Sequence, residues 1–276
     1  MNATTLWDTI VVGGGAAGLS AGVVLARARF ATLVVDGGEP RNGPADHMHG
    51  YLTQDGMAPR EFVATGLTDE LPGIPGLSER WASEVHHCPH CHGYEVRGRT
   101  IVVIGSTMAA VSAHLAALMR RHSSSVTFCV NGTEVGAAER QRLTAYGVRL
   151  VDARVARVST SGGGGVAIEL GNGETVTCEV VFVAPRPVPH DAILTTLGAG
   201  KDPVSGLVAV DPQGATNVPG LWAAGNVVNP RAQVVAAAGA GAGAGATAAI
   251  SMTAWLLERE LSAAVSSDGL DVGGAI

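Results

Sequence analysis

Short apolar runs, glycine turns and helical stretches follow one another along most of this chain. Asp8-Thr9-Ile10-Val11-Val12 is a buried-strand pattern, and a helical run to about Arg29 follows the glycines after it. Thr32-Leu33-Val34-Val35 predicts a second strand, and Gly37 to Gly56, with Pro40, Pro44, His47 and His49, reads as a solvated loop. Thr100-Ile101-Val102-Val103-Ile104 opens a second strand–turn–helix, with the helix over about Met108 to Arg121 and the next strand over Ser125 to Val130. Val148 to Val158, Val166 to Leu170 and Glu174 to Val183 predict a β-meander, turned at Gly162–Gly165 and Asn172-Gly173. Val218 to Ala223 predicts a strand that ends in Ala224-Gly225-Asn226. After Arg231-Ala232-Gln233 comes an Ala/Gly alternation whose composition suits a silk-like strand or a linker. Its flanks, Gln233-Val234-Val235 and the amphipathic Met252 to Leu261, favour a tightly packed helix. From Ser262 the pattern fades, and residues 266–276 are left as a disordered tail. Two strand–turn–helix units make the fold class α/β, with mostly parallel sheets and helices on both faces.

The first turn carries recognisable chemistry. Gly13-Gly14-Gly15-Ala16-Ala17-Gly18 is a G-x-G-x-x-G run between a strand and a helix, and the following strand ends in Asp36. Alone such a run is weak evidence, but inside a complete βαβ unit closed by an acid it is a dinucleotide-binding fingerprint. Gly13 makes the tight turn, Gly15 lets the backbone approach a pyrophosphate, and Gly18 lets helix and strand pack closely. The helix N-terminus favours the phosphate charge, and Asp36 would take ribose hydroxyls. The bland alternative is a glycine turn in an ordinary α/β domain.

A second stretch organises the rest: His86-His87-Cys88-Pro89-His90-Cys91-His92. Two cysteines two residues apart can close a small disulfide ring, and nearby positive charge raises the thiolate fraction. Cys and His are also zinc ligands. A structural zinc site usually draws its second ligand pair from further along the chain, and here no second C-x-x-C and no well-spaced His pair follows, so no metal is assigned. The third alternative is two buried, inert thiols with solvated histidines around them.

Composition narrows the setting. At 276 residues the chain is long enough for two domains. A formal charge of −6 without a basic run argues against nucleic acid. Cys129 and Cys178 lie in strand-like runs and read as small core residues. Few cysteines and no secretory apolar region at the N-terminus point to a reducing cytoplasm, where a lone C-x-x-C is more often catalytic than structural. Val234 to Leu257 is uncharged, but its Ala and Gly contribute little on transfer from water, so no membrane span is expected.

Taken in order, these stretches resemble the thioredoxin reductase-like FAD-dependent pyridine nucleotide-disulfide oxidoreductases. The resemblance runs through Gly13 to Gly18, Ala64-Thr65-Gly66, Cys88-Pro89-His90-Cys91, Ala223-Ala224-Gly225-Asn226 and Arg231-Ala232-Gln233. It implies two interleaved Rossmann-like domains. The FAD-binding domain would take residues 1–84 and 188–265, and an inserted pyridine-nucleotide-like domain carrying the C-x-x-C would take 85–187. It implies FAD held through Gly13, Gly15, Ala17, Gly18, Asp36, Gly225, Asn226, Gln233 and Val234. Cys91 would lie nearest the flavin, Cys88 would exchange with a small-molecule dithiol or disulfide substrate, and the chain would be a homodimer.

Three departures shape the functional expectation. His92 stands where the family has an acidic proton donor after the second cysteine, and it could do the same work near neutral pH. Thr107 replaces the central glycine of the second turn, Gly105-Ser106-Thr107-Met108-Ala109-Ala110, and no arginine pair follows the next strand, so NADP is a doubtful cofactor. Finally, a helix start at Met57–Phe62 abuts a strand end at Val63–Gly66, where the family usually has several tens of residues more. The FAD domain is therefore expected to be truncated. The expectation is an oxidase of small dithiols that uses oxygen. The alternatives are an NADPH-dependent disulfide reductase and a non-catalytic binding protein that has lost FAD.

Overall fold

The computed structural model describes residues 6–39, 43, 66–230 and 242–267. In chain order the elements are β1 (Thr9–Val12), α1 (Ala16–Arg27), β2 (Thr32–Val35), β3 (Leu67–Glu70), β4 (Val85–His86), α2 (Pro89–His92), β5 (Ile101–Ile104), α3 (Ala109–Met119), β6 (Val126–Cys129), α4 (Ala137–Ala145), β7 (Arg149–Val151), β8 (Val155–Thr160), β9 (Val166–Leu170), β10 (Thr175–Cys178), β11 (Val180–Val183), β12 (Arg186–Pro189), α5 (Ala192–Thr196) and α6 (Ala242–Ser267). Two compact units emerge. One holds the described residues to Gly43, 66–68 and those from Pro189 on; the other holds 69–188. β3 and β12 pair with each other where the chain passes from the first unit to the second and back.

In the first unit β1 and β2 pair in parallel, Ile10 opposite Leu33 and Val12 opposite Val35. The Ala/Gly composition of α6 has a direct use, because a Cβ at Gly245 would overlap the backbone of Ala17 in α1. The helix runs through Ser267, so Ser262 to Ser267 is helical rather than the start of a disordered tail. The strand expected over Val218–Ala223 is a turn instead. Pro219 and Gly220 occupy its centre, Gly220 at φ +83°, and the Leu221 amide donates to the Val218 carbonyl. Proline followed by a residue at positive φ is a type II turn. One bridge, Ala215 to Trp222, remains.

The second unit has a five-stranded parallel sheet in the order β4-β11-β5-β6-β7. Its central strands are buried on both sides, which is why they read as unbroken apolar runs. Helices cover only one face here, not both. Ala113, Leu115, Ala116 and Met119 of α3 and Leu143 of α4 pack on Val103, Phe128 and Phe182. The antiparallel β8–β9–β10 meander covers the other face with Val155, Val158, Val166 and Ile168. Leu77, fully buried, joins that layer, which places residues 69–84 with this unit. Val148–Val158 divides into two strands of different sheets. Between them Asp152 pairs with Arg140 at 2.6 Å, and the Val155 amide turns to Asn131 Oδ1 at 2.9 Å.

Candidate active site

The glycine turn of the first unit is shaped by contacts that side chains would block. Gly13 has φ +102°, and its amide donates to the Val35 carbonyl at 2.7 Å. Gly15 is the N-cap of α1, with no side chain capping the first turn and no acid in it. A Cβ at Gly14 would stand 2.8 Å from Asp36 Cγ, and one at Gly18 would overlap the Gly13 carbonyl. Asp36 Oδ1 accepts the Gly14 amide at 2.6 Å and Oδ2 the Gly38 amide at 2.9 Å. These bonds, that of Gly14 first, hold its carboxyl below the usual range. Gly225 and Asn226 complete the turn from the far end of the unit. A Cβ on Gly225 would touch Ala17 Cβ at 3.1 Å, and Gly66 lies against the Val227 amide and Asn226. Asn226 is buried and donates through Nδ2 to the Asn229 carbonyl at 3.1 Å. Gly18→Ala should destabilise this unit by about 1–3 kcal/mol, the scale of overpacking, read as a lower denaturation midpoint and loss of bound FAD. Gly73→Ala, where an added methyl meets nothing, should change neither.

In the second unit Cys88 and Cys91 form a disulfide, Cα atoms 5.3 Å apart. Pro89 starts α2 immediately after Cys88, and the Cys91 and His92 amides donate to the Cys88 carbonyl at 3.2 and 3.1 Å. This turn brings the two sulfurs together. Cys88 is 7% exposed, whereas Cys91 is half-buried. The four histidines divide. His86 stacks on His92, centroids 4.3 Å apart, His87 stacks on Trp81 at 5.4 Å, and His90 is exposed. Among the described residues no group of three His, Cys, Asp or Glu is placed to hold a metal ion. Cys129 and Cys178 are free and buried, and burial pushes their thiols up to about 11 and about 12.

Two amides of the turn after β5 are taken by serine hydroxyls. Ser112 Oγ accepts the Ser106 amide at 3.3 Å, and Ser106 Oγ accepts the Met108 amide at 3.1 Å. Beside it lies a cleft of about 160 Å³ lined by Glu70, Ser106, Thr107 and Arg186, among others, and Arg186 is ion-paired to Glu70.

The chain matches the pyridine nucleotide-disulphide oxidoreductase description over residues 55–242 and an FAD binding domain over residues 8–52. It belongs to the pyridine nucleotide-disulphide oxidoreductase family. Members of this family named thioredoxin reductase tcpT, from Claviceps purpurea, and thioredoxin reductase aclD, from Aspergillus oryzae, are each 27% identical to it. The alignments cover 82% and 81% of this chain and 88% and 89% of theirs. The crystal structure of HlmI matches with TM-score 0.86 and 35% identity, covering 99% of this chain and 100% of that one. An oxidoreductase from Agrobacterium tumefaciens matches at 0.79 and 31%, covering 92% and 99%. The tcpT alignment runs over 286 positions while spanning 82% of this chain, so it contains several tens of positions this chain lacks. The chain is thus a flavin-dependent, thioredoxin reductase-like disulfide oxidoreductase.

FAD fits the first unit as a nucleotide: the uncapped α1 N-terminus and a turn that side chains would fill are both present. Gln233, Val234, the Arg231 helix opening, His47, His49 and the Met57–Thr65 junction lie outside the described residues. Sequence reasoning missed the His86–His92 stack and the two serines of the second turn. Ser112, a fully buried serine in the apolar run of α3, was the available signal for the latter. Among the described residues no helix is long and apolar enough to cross a membrane.

Proposed function

We propose that this protein oxidises a small-molecule dithiol to its disulfide, with oxygen as the final electron acceptor. The observation that carries the reading is the second turn. A pyrophosphate needs free backbone amides, yet those of Ser106 and Met108 already point at serine hydroxyls. Arg186, the cation at the adjoining cleft, is taken by Glu70. This arrangement supports oxygen over NADPH.

The residues divide the work as follows. A substrate thiolate attacks Cys88, the Cys88–Cys91 bond breaks, and Cys91 leaves as a thiolate that His92 protonates. The second substrate thiol, losing its proton, then displaces Cys88 from the mixed disulfide. The substrate leaves as a disulfide, and the pair is left as a dithiol holding two electrons and two protons. Bound FAD supplies the two-electron relay from the pair to oxygen, which ends as hydrogen peroxide. Gly13, Gly15, Ala17, Gly18 and Asp36 would hold its dinucleotide half, and Gly225, Asn226, Gln233 and Val234 its flavin end. The test is a dithiol assay in air with FAD-loaded protein. One oxygen should be consumed and one hydrogen peroxide formed per dithiol, while NADPH bleaches the flavin colour only slowly. Bleaching by NADPH at turnover rates of about 1–10³ s⁻¹ would favour the reductase reading instead.

A further inference from the structure

His86 is a buried imidazole close to the disulfide in sequence, and the reaction above gives it no role. It stands on β4, opposite Phe182 of β11, and is 8% exposed. The His92 ring lies on it with planes 15° apart, and Phe182 tilts against it with centroids 5.7 Å apart. The frame around His86 is therefore sheet and core. His92 instead ends a four-residue helix, and so short an element does little to fix a side chain at its end. The stacked ring can.

We propose that His86 is a positioning residue for His92: its sheet-held imidazole sets the plane of the His92 ring one residue beyond the Cys88–Cys91 disulfide. The proposal rests on the reading of His92 as proton donor and acceptor. Electrostatics agree with it. The groups acting on His86 are His92 at the end of α2, the adjacent His87 and Arg99 before β5, with uncharged Phe182 from β11, while the Ser83 backbone pulls the other way. Burial first, then these neighbours, bring His86 down to about 4. It stays neutral at neutral pH. A neutral His86 spares the stack the repulsion that two imidazolium rings would feel.

The test is a double-mutant cycle on FAD-loaded protein with dithiothreitol as the probe dithiol. His86→Leu suits a buried strand but removes the ring, and His86→Phe keeps a ring. Turnover should fall about tenfold or more in His86→Leu, the scale on which misplacement of a reacting group is felt. It should stay within about threefold of the parent in His86→Phe, and His86→Leu/His92→Ala should be no slower than His92→Ala alone. The imidazole limb of the pH profile should persist in His86→Phe and flatten in His86→Leu. Equal losses in the Leu and Phe variants, or penalties that multiply in the double variant, overturn the proposal while leaving His92 in its role. A His92→Ala variant as fast as the parent removes the role of His92, and the proposal with it. His86→Met supplies the same comparison if His86→Leu does not fold.

Discussion

Serine at either position of the Cys88–Cys91 pair is expected to lower dithiol turnover by roughly 10⁴-fold or more, the scale for removing a nucleophile. Neither cysteine can do the work alone. Without Cys91 a substrate thiolate has no disulfide to attack, and without Cys88 the remaining thiol has no partner with which to close the ring that α2 forms. The glycine turn that would hold FAD lies at β1 and α1, outside the unit of the disulfide, so bound flavin should remain in both variants. Cys129→Ser and Cys178→Ser are the controls. Both thiols are buried and pushed up in pKa, hence protonated and unreactive at neutral pH. Their replacement should lower the denaturation midpoint and leave the turnover of folded protein as it was. Turnover rates normalised to bound flavin check all four variants.

His92→Ala carries the next largest effect, a loss of about 10²-fold or more, the usual scale for a general acid–base. Each thiol–disulfide exchange has a thiolate leaving and a thiol losing its proton. An imidazole titrates near neutral pH and can serve in both directions. Loss of the group should be felt most where the attacking substrate thiol is hardest to deprotonate. A dithiol with more acidic thiols should therefore lose less rate in His92→Ala than an ordinary alkyl dithiol. Equal losses for both would separate His92 from proton transfer. The measurement is turnover of parent and variant with two dithiols of different thiol pKa, at one pH.

Much of this site can be read along the chain because its parts are local. A strand, a glycine turn, a helix and an acid announce the βαβ unit within a few turns of backbone, and the close contacts at Gly14 and Gly18 answer to that pattern. The C-x-x-C is equally local, since Pro89 starts the turn that joins the sulfurs. What periodicity does not show depends on which strands become neighbours. β11 enters the sheet between β4 and β5, and that placement puts Phe182 against His86. The stack of His86 on His92 then needs α2 to fold back over the edge of β4. Apolar patterning also cannot divide Val148–Val158, because both halves are apolar and only the Asp152–Arg140 and Val155–Asn131 pairings mark the break. At Val218–Ala223 the apolar run hid a Pro-Gly turn that local chemistry does specify.

The central claim is that the Cys88–Cys91 disulfide itself takes electrons from the dithiol. Anaerobic titration of FAD-loaded protein with a small dithiol tests it most directly, with product disulfide counted against protein. The account predicts two dithiols oxidised per chain, one for the flavin and one for the cysteine pair, and none in the Cys88→Ser/Cys91→Ser variant. A double variant that oxidises as much dithiol as the parent would contradict it.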